Sequence, residues 1–478
     1  MVEVTREVAP ERGRGAPGPV LVALGVAAMS FSVLQSLVIP VLPAIGRDLH
    51  VSQEAVTWVL TGYLLSAAVA TPLLGRLGDM FGKRRMLLVT MAALTAGIVL
   101  SGLANSLELL VAGRIVQGLG GALFPLAFGI IRDELPPERV AGAIGFISAT
   151  LGVGGGLGIT LAGPIAARLG YHWLFWAPLP LIVLAALIML RIPESPVRAD
   201  GRVSLTCAVL LSAWLVTLLT ALTEAPSWGW LSGAFGGALL ASAALFAAWW
   251  VAERRSASPL VDVRMLTRPA VLRTNLVAVA VGFTLYGSLI IIPDLLQTPR
   301  ATGYGFGVSL DAAGLLLLPQ TATMFVLGLL AGRLSATIGS ARAVTAGVLL
   351  GGAAFALLAA AQTQVWQILL ATVIIGAAIG LTFSAMPNVI VESVPADQTG
   401  VATGMNTVMR TLGGSVGGQI GASVLAGTVV AGVPTEGGFT GAFALAAGAC
   451  ALATIAALAV PRPRAAAARS AAGELQAA

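Results

Sequence analysis

The sequence predicts an all-α integral membrane protein of fourteen transmembrane helices in a 6+2+6 arrangement. Three observations lead there. Only 10% of the 478 residues are charged, where a soluble chain carries about 25%, while 57% are hydrophobic and the mean hydropathy is +0.93. At ~20 residues per span, the apolar runs divide into fourteen segments. Of the 27 lysines and arginines, 22 fall on one set of alternating loops and tails, three on the other (Arg47, Arg168, Arg300) and two inside spans (Arg114, Arg410). Cations resist translocation, so the rich side is the cytoplasm and both termini lie there.

The expected spans are 20–45, 55–75, 86–104, 107–131, 140–167 and 173–192, then 204–223 and 230–252, then 272–298, 308–332, 343–361, 365–388, 400–426 and 439–460. Residues 1–19 form a polar cytoplasmic tail. The apolar run after them is too long for a signal-peptide core and lacks a small-residue cleavage pattern, so it is a true span. Residues 20–192 make an N-terminal six-helix bundle, 193–271 two inserted helices with cytoplasmic flanks, 272–460 a C-terminal six-helix bundle and 461–478 a cytoplasmic tail. The halves repeat. Gly332-Arg333-Leu334, Gly339 and Arg342 reproduce Gly75-Arg76-Leu77, Gly82 and Arg85 at one constant offset, with Ala336 where Asp79 stands. Related halves around a midplane site are the plan of secondary transporters.

Several function classes drop out. The net charge of +6 comes from basic loops and does not imply nucleic-acid binding. Cys207 and Cys450 lie far apart in apolar runs, and His50 and His172 are the only histidines, so neither a metal site nor a cluster of catalytic groups is expected. The glycine run Gly152–Gly158 follows no strand and lacks the spacing of a dinucleotide loop. Gly154 and Gly158, with Gly152 and Gly156, instead make a small-residue face for close helix packing. No nucleotide-binding loop or cofactor site is expected, and the chain is not an enzyme. A receptor or scaffold would need a sizeable soluble domain, which the sequence lacks.

The stretch from Gly75 to Arg85 reads G-R-L-G-D-M-F-G-K-R-R. It is expected to be a basic turn of about ten residues between spans 2 and 3, its path eased by Gly75, Gly78 and Gly82. Gly75, Leu77, Asp79, Gly82, Lys83, Arg84 and Arg85 make it similar to the loop between helices 2 and 3 of the major facilitator superfamily, and the 6+2+6 plan resembles that family's fourteen-helix drug:proton antiporters. The resemblance covers about 20–460. It implies the major-facilitator fold and a conformational latch at Gly75, Asp79, Gly82, Arg84 and Arg85, in which Asp79 caps the start of a C-half helix and holds the outward-facing state. Arg114, Gln117 and Gly118 match the family's arginine-x-x-glutamine-glycine pattern in helix 4, which implies proton coupling at Arg114. Two positions depart from it. Where the antiporters carry an aspartate in helix 1, this chain has Leu34, beside the polar but non-titrating Gln35; where they carry a proline in helix 5, it has Ile159, and the nearest glycine-proline is Gly163-Pro164.

Few acids remain to carry a proton. Asp311 stands at the start of span 10, where it suits a helix N-terminus. Asp294, after Pro293 in span 9 and with Gln297 on the same face, is the expected carrier, because burial can bring a carboxyl into the working range. A lone arginine inside a span needs a partner or water, which singles out Arg114 and Arg410. Candidates for the substrate cavity are Gln35, Trp58, Tyr63, Gln117, Tyr286, Gln297, Gln320, Asn406 and Arg410, with Phe283 and Asn388 further possibilities. The expected function is proton-coupled efflux of small, amphipathic or lipophilic organic compounds such as drugs or antibiotics, by a monomer in the cell membrane. The alternative is a uniporter or proton symporter for a small metabolite on the same fold.

Overall fold

A bilayer core offers the peptide group no hydrogen-bond partner, so apolar runs satisfy their backbones as helices. The computed structural model describes residues 17–460 apart from 196, 200, 201, 257 and 431; most of the expected N-tail and all of the expected C-tail lie outside that range. The first half comprises α1 (Pro17–Val38), α2 (Trp58–Phe81), α3 (Lys83–Gly102), α4 (Leu107–Gly118, continued by Leu123–Glu134), α5 (Pro137–Leu169) and α6 (Trp173–Trp176, then Leu179–Met189). α7 (Leu205–Trp228) and α8 (Gly233–Arg255) follow. The second half comprises α9 (Pro269–Gln297), α10 (Leu310–Leu316, then Leu318–Ile338), α11 (Ser340–Ala360), α12 (Val365–Ser393), α13 (Thr399–Gly427) and α14 (Glu436–Leu458). The described strands are one small antiparallel pair, Val429–Val430 with Val433–Pro434, between α13 and α14.

Twelve helices among the described residues are long and apolar enough to cross a bilayer. The other two, the shorter α6 and the glycine- and threonine-rich α13, lie where the sixth and thirteenth spans were expected, and the arrangement is compatible with fourteen spans.

The expected ten-residue turn after α2 is a single-residue joint. Asp79 and its neighbours form the last turns of α2, Lys83 opens α3, and Gly82 alone breaks the helix at φ +113°, a conformation that costs an L-residue with a side chain. The second copy repeats the device: Gly339, at φ +90°, joins α10 directly to α11. Charged side chains had suggested a loop, but at a helix end they reach water and the ends of neighbouring helices without leaving helical geometry. The cap of α10 is Ser309, whose hydroxyl accepts from the Ala312 N–H at 3.4 Å. The expected capping residue Asp311 stands inside the first turn, and its side chain lies outside the described residues.

Three large hydrophobic cores organise the packing, and a small fourth cluster joins α7 to α8. One joins α1–α6 and includes Leu34, which is 1% exposed; a second joins α9–α14. The third ties α7 and the linker around Leu260–Leu266 to α12 and α13. α7 packs on α2, α8 and α13, while the apolar window of α8 is only 17% buried, which makes α8 the most peripheral of the long helices. The halves meet where α2 packs on α13 and α5 on α10 and α12.

Candidate functional site

A helix leaves its first N–H groups without intrahelical partners, and its N-terminus attracts negative charge. α13 begins after Gln398, which supplies no capping side chain. Asp79, fully buried at the end of α2, fills the role from the other half: its carboxylate accepts from the Gly400 N–H at 3.1 Å and the Val401 N–H at 3.0 Å. The approach is possible because Gly75 faces Gly400, where an added Cβ would lie 2.6 Å from the Gly400 carbonyl oxygen. Lys83, also fully buried, sits 3.7 Å from Asp79 and 2.7 Å from Asp133. It neutralises the α4 acid directly and the Asp79 charge from one shell further out. Asp133 also accepts from the Ser195 hydroxyl at 2.5 Å.

The same device recurs next door. Glu194, in the segment after α6, accepts from the Arg84 and Arg85 N–H groups at 2.9 and 3.0 Å and so caps α3. The Arg84 guanidinium closes the end of α6 through the Met189 and Leu190 carbonyls. The Arg85 side chain is largely exposed and only 3.9 Å from Glu194. Arg132, at the end of α4, donates to the Val394 and Pro395 carbonyls and to the Thr399 hydroxyl across the boundary. Together with weaker ties from Ser384 to Gly145 and from Asn388 to Ala141, these are the described hydrogen bonds between the halves. All lie at one end of the molecule, here called the latched end. The sequence argument located Asp79 but missed Lys83–Asp133–Ser195, the Glu194 cap and the Arg132 bridge. Only the presence of acids and a serine in loops facing the basic joint could have signalled them.

Between the halves, away from that end, lies a cavity of about 1220 Å³ including its open mouth. Its wall is mostly apolar and aromatic, with Phe31, Tyr63, Phe124, Tyr286 and Phe383 among the lining residues. Of the expected cavity residues, Gln35, Tyr63, Tyr286, Gln320 and Arg410 line it. Gln35 donates to the Tyr63 hydroxyl, and the Arg410 guanidinium lies 4.3 Å from the centre of the Phe383 ring.

The other expected cavity residues lie elsewhere. Gln117 is fully buried and donates to the Gly97 carbonyl and the Ser101 hydroxyl, tying α4 to α3. Trp58 is 38% exposed on an outer groove between α2, α4 and α7. Asn406 is buried against Asn275 of α9, and Gln297 is exposed and bonded to the Pro293 carbonyl. Each has a backbone or packing partner that sequence spacing does not show.

Arg114 is also fully buried. Its Nε donates to the Val59 carbonyl at 3.1 Å, its Nη1 to Gln117 Oε1 at 2.8 Å, and its guanidinium stacks 4.4 Å from the centre of the Tyr63 ring. It holds α4 against α2 and stands behind the cavity wall. Asp294 lies off the cavity too, half-buried near the end of α9, where its carbonyl accepts from Thr298. The glycines of α5 serve two neighbours. A Cβ on Gly154 or Gly158 would strike Ser32 or Ser36 of α1, and one on Gly152 or Gly156 would strike Met324 or Thr321 of α10. The second pair thus permits close contact between the halves beside the cavity.

The family description Major Facilitator Superfamily matches residues 22–204 and 201–418. The tetracenomycin C resistance and export protein of Streptomyces glaucescens is 31% identical over 399 residues, 81% of this chain and 72% of that protein. The multidrug resistance protein Stp of Mycobacterium tuberculosis is 27% identical over 375 residues, 77% of this chain and 69% of that one. Among solved structures, the proton:xylose symporter XylE is 15% identical with a TM-score of 0.68, covering 94% of this chain and 96% of that one. This last likeness shows the fold alone.

Proposed function

Because this chain belongs to the major facilitator superfamily, a family of multi-pass membrane transporters and not enzymes, we propose that it exports small, amphipathic or lipophilic organic compounds by alternating access, in exchange for protons. The observation that carries the reading is a largely apolar cavity between two halves whose described hydrogen bonds to each other all lie at one end. With the joint at Gly82 on the cytoplasmic side, as the cation bias requires, the latched state faces outward. The names of the export and multidrug resistance relatives support drugs or antibiotics as cargo. The protein works as a monomer in the cell membrane with both termini inside.

Asp79 is proposed as a proton-sensitive latch that a cytoplasmic proton loosens; it does not itself carry a proton across, because in the outward-facing state it is sealed from the outer side. Such a latch group is dry in the latched state and wet in the other. Asp79 is fully buried while it caps α13, and the cytoplasmic opening of the halves would uncover it. A proton taken up there removes the charge that holds α13. The uniporter reading is favoured by one observation: among the described residues lining the cavity there is no Asp or Glu. A drug-susceptibility panel on cells expressing the chain, followed by efflux from proteoliposomes under an imposed pH gradient, tests both points. Export should raise resistance and accelerate when protons are driven against the substrate's direction. Unchanged susceptibility across the panel contradicts efflux, and export indifferent to the gradient favours uniport.

A further inference from the structure

The cavity is unbalanced in charge. Arg410 is the one ionised side chain among the described residues that line it. The described ion pairs, Lys83 with Asp79 and Asp133 and Arg85 with Glu194, all lie at the latched end. The Arg410 guanidinium carbon lies over the Phe383 ring, 4.3 Å from its centre. The Tyr286 phenol lines the same cavity. A second guanidinium, that of the fully buried Arg114, lies just behind Tyr63. Gln320 is 5% exposed, lines the same cavity, and its side-chain oxygen has no hydrogen-bond partner. A guanidinium partly withdrawn from water without a counter-charge is costly, and an anion of fitting shape relieves that cost through charge-assisted hydrogen bonds.

We propose that the cavity selects aromatic compounds bearing an acidic oxygen (a carboxylic acid, or a phenol or enol acidic enough to ionise) and binds them with the oxyanion on Arg410. A second polar group of the ligand meets Gln320, and its rings lie among Phe31, Tyr63, Phe124 and Tyr286. The assignment rests on the efflux reading and narrows its substrate class. It also bears on energetics. An anion leaving a cell that is negative inside is carried outward by the membrane potential, by about fifty-fold in concentration per 100 mV, so the cargo adds its own driving force to any proton exchange.

The full-length protein in phosphatidylcholine nanodiscs is titrated at neutral pH with three fluorescent probes on one skeleton: anthracenecarboxylate, anthracenemethanol and anthracenemethylammonium, each substituted at the same position. Partition into empty nanodiscs is subtracted. The wild type should bind the carboxylate at least about tenfold more tightly than the alcohol, with the ammonium weakest. Arg410→Gln should bring carboxylate and alcohol within about threefold while alcohol binding persists, and Arg410→Lys should keep part of the preference. Ammonium binding equal to or tighter than carboxylate binding in the wild type overturns the proposal without any variant. So does an Arg410→Gln protein that binds the carboxylate as the wild type does. If the alcohol binds and the carboxylate does not, the charge assignment falls and the efflux reading stands. If no probe binds, the assignment also falls, and the susceptibility panel, which uses none of these probes, decides separately whether efflux falls with it.

Discussion

Asp79 closes the start of α13 with a charge, and charge is what distinguishes it from every amide or hydroxyl that could occupy the place. Hydrogen bonds to an ionised group contribute about 1.5–3 kcal/mol, roughly twice the neutral kind. Lys83 offsets the cost of burying that charge, although its closer partner is Asp133. Asp294 has no comparable setting: it is half-buried, off the cavity and away from the described contacts between the halves. Asp294→Asn should therefore retain pH-driven efflux to within about threefold of wild type, the scale of an ordinary surface substitution. Initial rates from proteoliposomes at matched protein content measure it, and a rate independent of the pH gradient would return the carrier's role to Asp294. Legibility at this scale was uneven. Asp79 could be found because its neighbours fix a spacing, and Arg114 because a lone cation in an apolar span stands out. Gln117, Asn406 and Trp58 looked like cavity residues because sequence gives their polarity or size but not which side of the helix meets a neighbouring backbone.

At the scale of the element, helix boundaries were readable where proline or glycine set them and misread where charge was taken for loop. α2 runs through the whole basic motif because Gly82 alone makes the break. Glycine then decides how closely helices of opposite halves approach. Gly75→Ala would put a methyl against the backbone carbonyl of Gly400, at 2.6 Å before relaxation, and a backbone oxygen cannot swing aside as a side chain can. Overpacking of this kind costs about 1–3 kcal/mol, which would fall on the α2–α13 contact that the latch needs. Efflux by Gly75→Ala should drop at least about tenfold at normal surface expression, whereas Gly237→Ala, on open α8 surface with nothing within 4 Å, should match wild type. Equal rates for the two variants would show that close contact at Gly75 is not required.

For the whole molecule, the division into spans was legible because bilayer thickness fixes their length, and the repeat because two joints share one spacing. The meeting of the halves was legible only through the family resemblance, which implied that Asp79 caps a C-half helix; Asp79 and Gly400 are 321 positions apart and no local pattern links them. Sidedness follows from the cation bias and can be read directly. Both native cysteines are buried, so cysteines placed at Arg198 and Arg255, both exposed, should react with a membrane-impermeant thiol reagent only after permeabilisation, and one at Leu231, exposed between α7 and α8, should react in intact cells. Reaction at all three in intact cells would invalidate the α7–α8 hairpin. The central claim is that Asp79 holds the halves together at one end so that the cavity opens at the other. The most direct measurement is pulsed electron spin resonance on two spin-labelled pairs in nanodiscs: Arg139 with Thr337 at the latched end, and His50 with Arg300 at the other, all exposed. In otherwise wild-type protein the Arg139–Thr337 distance should be short and narrowly distributed. Asp79→Asn, by weakening the cap by about 1.5–3 kcal/mol, should add a longer Arg139–Thr337 population together with a shorter His50–Arg300 population. Distance distributions that Asp79→Asn leaves unchanged at both ends would contradict the account.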